Sequence, residues 1–89
     1  MLKASMHTKV ISLKGVEYEG EAKRFTVKTE LGEVTVLNHH RPFATVLVAG
    51  TAELETQSGE PKTFSIAGGF LHMDTANVLT VLVDEAVLL

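Results

Sequence analysis

Gly32-Glu33-Val34-Thr35-Val36-Leu37-Asn38-His39-His40-Arg41-Pro42-Phe43 decides how the rest of the chain is read. Val34 and Val36 fall on one side of an extended chain and Glu33 and Thr35 on the other, the period-two pattern of a half-buried strand. The strand ends in a polar turn, where Asn38 and Pro42 bracket two histidines and an arginine. No other stretch is so polar and so tightly framed by apolar residues.

Outward from it, the chain reads as short strands joined by turns. Met1 to Thr8 form a mixed polar lead-in, in which His7 reads as a solvated terminal residue. Val10, Ile11 and Leu13 start a first strand that Gly15 ends or bends. Glu17-Tyr18-Glu19-Gly20-Glu21 places one aromatic ring on a turn or edge. Ala22 to Thr29 alternates, with Phe25 and Val27 inward and Arg24, Thr26 and Lys28 in water. Glu30-Leu31-Gly32 is a turn. Phe43 to Ala49 is dense in apolar and β-branched residues and reads as a strand covered on both faces. Ala52, Leu54 and Thr56 alternate with Glu53 and Glu55. Gln57 to Pro61 is a hairpin turn by composition, and Phe64 and Ile66 begin the return strand. Gly68-Gly69 marks a bulge or a close approach of another backbone, with Phe70 to Met73 continuing past it. Asp74 to Asn77 is a turn, Val78 to Val83 a strand, and Ala86 to Leu89 an apolar tail or a helix start. Strands at this spacing without an amphipathic helix predict an all-β fold, a sandwich or barrel, in one domain spanning residues 1–89.

Length and composition bound the rest. A chain of 89 residues makes one small domain, which buries only about 60% of the surface its unfolded form exposes. With no cysteine there is no disulfide framework and no thiolate metal site. The formal charge of −3 and the scattered basic residues exclude the basic face that nucleic-acid binding needs. The longest apolar stretch, Val78 to Val83, is far short of the roughly 20 residues of a spanning helix. Membrane association, if any, runs through a partner.

Catalytic chemistry finds little footing. His39 and His40 are adjacent on an extended chain, so their rings diverge and chelate poorly, and the sequence brings neither His7 nor His72 to them. Glu53 with Glu55, and Glu17 with Glu19, lie on the polar sides of alternating segments and read as solvated faces rather than acid–base pairs. No serine sits in a G-x-S-x-G context. Gly68-Gly69 lacks the lysine and the following helix of a phosphate loop. The residues therefore read as a surface-acting domain without catalytic residues, metal or cofactor.

The opening stretch resembles the "G-E-(apolar)-G-(apolar)-x-P-G-H-A-P-L" signature of the epsilon-subunit family of F-type ATP synthases. Gly32, Glu33, Val34, Val36, His40 and Pro42 match it in register, with Phe43 in place of the closing leucine. A second stretch, Ala67-Gly68-Gly69-Phe70-Leu71 followed by Val78 to Asp84, is similar to the family's "S-G-G-(apolar)-L-E-V … V-T-V-L-A-D". Tyr18 and Gly20 add a minor match, and the likeness runs from about Lys9 to Ala86.

The resemblance implies a flattened β-sandwich of about ten short strands. It also implies a non-catalytic rotor subunit of the central stalk, coupling ion flow through the membrane ring to ATP synthesis. Its partners are then the gamma subunit and the ring of c-subunits. Glu30, Leu31, Gly32 and Glu33 take the ring-facing role; Ser12, His40, Arg41, Pro42 and Thr45 take the gamma-facing role. The implied location is a peripheral complex on the cytoplasmic face of the plasma membrane, if the host is bacterial. The expectation is of the sandwich without the two-helix domain that usually follows it. Three departures bear on the contacts: Asn38-His39 replaces the family's proline-glycine, Thr35 replaces a glycine, and Arg41 replaces a small residue. Histidine takes positive φ less readily than glycine, so the Asn38–Arg41 turn is expected to differ. The residues alone leave two other readings open. One is a free-standing sandwich module for a small ligand or carbohydrate, which the scarcity of aromatics disfavours. The other is a cupin-type metal enzyme, for which no histidine triad can be assembled.

Overall fold

The structure, a computed structural model, describes residues 5–89. It is all-β: nine strands among the described residues, against the expected ten or so. They are β1 (Met6–Ser12), β2 (Gly15–Thr29), β3 (Gly32–Leu37), β4 (Phe43–Leu47), β5 (Gly50–Thr56), β6 (Pro61–Ile66), β7 (Gly69–Met73), β8 (Val78–Val83) and β9 (Ala86–Leu88).

The 15-residue β2 belongs to both layers of the sandwich. Its first half pairs antiparallel with β1, from Met6↔Ala22 to Ser12↔Gly15. Its second half pairs with β3, from Arg24↔Leu37 to Thr29↔Gly32, and with β5, from Ala22↔Thr56 to Thr26↔Glu53. One layer is β4-β7-β8-β1 with the start of β2; the other is β3, the end of β2, β5, β6 and β9. The β1–β8 pair is parallel and the remaining pairs are antiparallel.

Alternation fills the space between the layers. Met6, Val10, Leu71, Met73, Leu79 and Val81 come from one side, and Phe25, Val27, Val36, Leu54 and Phe64 from the other. Full burial of each such side chain contributes about 1.5–3 kcal/mol. The inward assignment of Phe25, Val27 and Val36 holds, as do the turns at 30–31, 57–59 and 75–77 and the span of β8. Gly69, at φ 151°, begins β7 rather than interrupting a strand, and the backbone of β8 passes close by it.

Several expectations need correction. The first strand begins at Met6, so the lead-in ends there; its residues 1–4 lie outside the described residues. His7 is half-buried in β1 between two carboxylates: Nε2 is 3.0 Å from Glu19 Oε2 and Nδ1 is 3.2 Å from Glu21 Oε2. Of turn or edge, Glu17 to Glu21 is the edge: it is continuous strand with β1 on one side, which supplies pairing partners for every residue there except Glu17. β4 stops at Leu47, and only one of its faces is covered: Ala44 and Val46 are exposed. Ala86–Leu88 is neither tail nor helix but an edge strand on β6, from Phe64↔Leu88 to Ile66↔Ala86.

Candidate functional site

The Glu30–Glu33 hairpin and the His40–Pro42 loop lie at opposite ends of β4. Thr29 pairs with Leu47 at one end, which puts the β2–β3 hairpin there. The His40 loop enters β4 at Phe43, at the other end. Five extended residues separate them by about 17 Å.

The hairpin is held from within. Thr29 Oγ1 donates to the Gly32 carbonyl at 2.8 Å and accepts from the Leu31 amide at 3.1 Å. With its backbone so satisfied, the turn presents Leu31 at 97% exposure between the exposed Glu30 and Glu33. An apolar side chain flanked by carboxylates suits a partner offering apolar contact and a cation.

The loop is the second tip. The His40 amide donates to the Leu37 carbonyl at 3.1 Å. The His40 ring lies 4.7 Å from that of Phe43, and its Nδ1 donates to the Arg41 carbonyl at 2.8 Å. His39, in the family's glycine position, has φ 62°. His39 thus takes the left-handed conformation that glycine takes freely. The His39 amide donates to Asn77 Oδ1 at 2.6 Å, and Asn77 Nδ2 donates to the Ser5 carbonyl at 2.9 Å. The loop and the β7–β8 turn enclose a cleft of about 320 Å³ lined by His39, His40, Arg41, Pro42, Asp74 and Asn77.

Between loop and hairpin lies the outer face of β4-β7-β8-β1. Register sets it in two rows. Ala44, His72, Thr80 and Lys9 form a polar row nearest the loop. Val46, Phe70, Leu82 and Ile11 form an apolar row beyond it. Phe70 is 60% exposed and Leu82 48%, on the rim of a 470 Å³ depression that includes Ser12 and Leu13. Sequence reading missed this row, although apolar residues at both parities of β4, β7 and β8 announce it. The outer face of the other layer is polar, with Arg24 Nη2 3.1 Å from Glu55 Oε1 and the hydroxyls of Thr26 and Thr35 2.9 Å apart.

Ser12 and Thr45 both point inward rather than out. Ser12 Oγ donates to Glu17 Oε1 at 2.8 Å and accepts from the Lys14 amide at 3.1 Å, which shapes the β1–β2 turn. Thr45 is half-buried opposite Leu71. Tyr18 donates its hydroxyl to the Glu21 carbonyl at 3.2 Å. Burial, and then the charges of Glu21 and Glu60, push its phenol above the ordinary value. Among the described residues, no group of three or more His, Cys, Asp and Glu side chains is placed to hold a metal ion, and no helix is long and apolar enough to cross a membrane.

Residues 5–89 match the family described as the β-sandwich domain of the ATP synthase delta/epsilon chain. The chain is 37% identical to the ATP synthase epsilon chain of Xanthomonas campestris over 78 residues, covering 88% of this chain and 55% of that one. It is 32% identical to the epsilon chain of Clostridium novyi, covering 88% and 59%. It thus spans little more than half the length of these curated relatives. Among solved structures it is similar to a chain of the Euglena gracilis mitochondrial ATP synthase (OSCP/F1/c-ring), with a TM-score of 0.92, 25% identity, and coverage of 99% and 56%. A chain of the Tetrahymena thermophila mitochondrial ATP synthase shares the fold, with a TM-score of 0.79, 19% identity, and coverage of 98% and 69%. Both motifs quoted from the sequence lie within the matched span, and the chain belongs to the delta/epsilon-chain β-sandwich family of ATP synthase.

Proposed function

We propose that this chain is a non-catalytic subunit of the central stalk of an F-type ATP synthase, joining the gamma subunit to the ring of c-subunits. The observation that carries the reading is the family match across residues 5–89. The likeness to a chain from an assembly of F1 and c-ring agrees with it. In this role the protein transmits torque between ion flow and ATP synthesis by holding two partners in register. It sits at the membrane through those partners, on the cytoplasmic face of the plasma membrane in a bacterial host.

Two surfaces support the reading of two partners. The Glu30–Glu33 hairpin is small, rigid and charged, and it faces the ring loops. A partly desolvated Glu33 there fixes register more than it adds affinity. Gamma covers the outer face of β4-β7-β8-β1, which His40, Arg41 and Pro42 frame at one end and Ser12 at the other. Its occupant must bury Phe70 and Leu82, the largest exposed apolar side chains of that face. Ser12 and Thr45 act behind this surface, shaping the β1–β2 turn and supporting β4.

The test is a pull-down with a gamma subunit from the same source. Wild type binds, His40→Ala binds more weakly, and Glu33→Ala binds like wild type. Absence of wild-type binding at micromolar concentrations overturns the reading.

A further inference from the structure

Asn77 does more than its place in a turn requires. It is buried at 8% exposure, and its two amide atoms reach different parts of the chain. Oδ1 accepts from the His39 amide at 2.6 Å, and Nδ2 donates to the Ser5 carbonyl 72 residues away in sequence, at 2.9 Å. Its side chain therefore joins three separate segments: the start of the chain, the 38–42 loop and the β7–β8 turn.

The His39 contact matters because of His39's backbone. At φ 62° a β-carbon crowds the following carbonyl, a conformation that glycine takes freely and histidine takes only when its surroundings hold it. It is the amide of that residue that donates to Asn77 Oδ1. Beyond His39 the loop is fastened at His40, through the Leu37 carbonyl, the Arg41 carbonyl and the Phe43 ring. Those contacts fix the local shape of the tip. The hydrogen bond from Asn77 ties that tip to β7 and β8, which carry the adjoining outer face.

We infer that Asn77 is the positioning residue of the gamma-docking surface: by holding His39 in the left-handed conformation it sets His40, Arg41 and Pro42 against the outer face of β4-β7-β8-β1. This rests on the stalk reading for the identity of the partner and on the loop geometry for the mechanism. Asn77 acts through His39. Its own φ of 62° suits glycine as well as asparagine, so Asn77→Gly deletes the side chain while keeping the turn.

The experiment has two arms on the full chain. The first is amide hydrogen exchange by NMR, without any partner. His39 exchanges slowly in wild type and in Asn77→Asp, which keeps the acceptor, and at least about tenfold faster in Asn77→Gly. Unchanged His39 exchange in Asn77→Gly overturns the inference. The second arm is affinity for gamma. Asn77→Gly binds about tenfold more weakly, the scale of one lost hydrogen bond at the upper end of its range. Adding His39→Gly, which removes the backbone strain, restores most of the loss. Thr56→Ala, which loosens a distant turn by removing its bonds to Glu60, lowers the melting temperature without weakening binding. A loss in Asn77→Gly that His39→Gly does not rescue, or that Thr56→Ala reproduces, makes Asn77 a fold-stabilising residue only and overturns the inference. If wild type does not bind gamma, the stalk reading falls and the docking role of Asn77 falls with it, while the exchange arm still decides whether Asn77 holds the loop.

Discussion

Gly69 lies against the main chain of Leu82 so closely that a β-carbon on Gly69 would run into the Leu82 carbonyl oxygen and come within 2.8 Å of Val83 Cα. The contact keeps β7 and β8 at their pairing distance just where the chain enters β7. Gly69→Ala should destabilise the protein by about 2–4 kcal/mol, combining positive φ with an overpacked backbone. Gly15 has a similar φ, 128°, but open space around it. Gly15→Ala should therefore cost only about 1 kcal/mol. Urea unfolding of the two variants reads the difference; equal costs would remove the close approach as an explanation.

Tyr18 is the chain's one tyrosine, so an ultraviolet absorbance titration reports it alone. Its phenol is raised in the folded state by burial, and then by Glu21 and Glu60. The folded protein holds this proton more tightly than the unfolded chain. The associated stability is complete below the unfolded value of about 10 and is lost as pH climbs through the raised folded value. Tyr18→Phe should abolish that alkaline fall in stability. At neutral pH it should cost about 1 kcal/mol for the hydrogen bond to the Glu21 carbonyl.

The β2–β3 hairpin separates shape from contact. Thr29→Ala removes two hydrogen bonds to the turn and should cost about 1–2 kcal/mol. Leu31→Ala, at a fully solvated tip, should change stability by less than about 0.5 kcal/mol. Both should weaken association with a c-ring preparation, Leu31→Ala by lost contact and Thr29→Ala by a loosened turn. Thermal unfolding beside sedimentation with the ring tells the two effects apart, and unimpaired sedimentation of Leu31→Ala would remove the tip from the interface.

Phe70 offers the sharpest test of the apolar row. Because it is 60% exposed, Phe70→Ser should change stability by no more than about 1 kcal/mol. A central aromatic in a buried interface is worth about 2 kcal/mol or more, so affinity for gamma should fall at least about tenfold. Calorimetry would register it, and an unchanged affinity would move gamma off this face.

Much of the fold was legible because alternation was clean. Val34 with Val36, and Phe25 with Val27, declared their inward side, and Gln57 to Pro61 declared a turn by composition. The open readings and the misreadings share a cause. Glu17 to Glu21 reads as turn or edge alike since charge masks alternation, and its place as an edge strand depends on β1. Ala86–Leu88 is a strand only because β6 offers it an edge. In the candidate site, the motif positions were legible one by one. What was not legible was their arrangement: the inward turn of Ser12, and Asn77 reaching the His39 amide across 38 residues. Phe43 to Ala49 was read as covered on both faces. Its apolar outer residues are real, but the described chain supplies no cover for them.

The parallel seam between β1 and β8 has a consequence for how the protein is made. Residues 6–12 can zip onto β2 as soon as residues 15–22 have followed them from the ribosome. Their other edge stays open until residues 78–83 have been synthesised, several seconds later at ~5–20 residues per second. For that interval the nascent chain carries an unpaired strand edge, the kind of edge that recruits wrong partners. Crowded polysomes are thus the setting in which this sandwich is most exposed to misassembly, and β8 is the strand that ends the exposure.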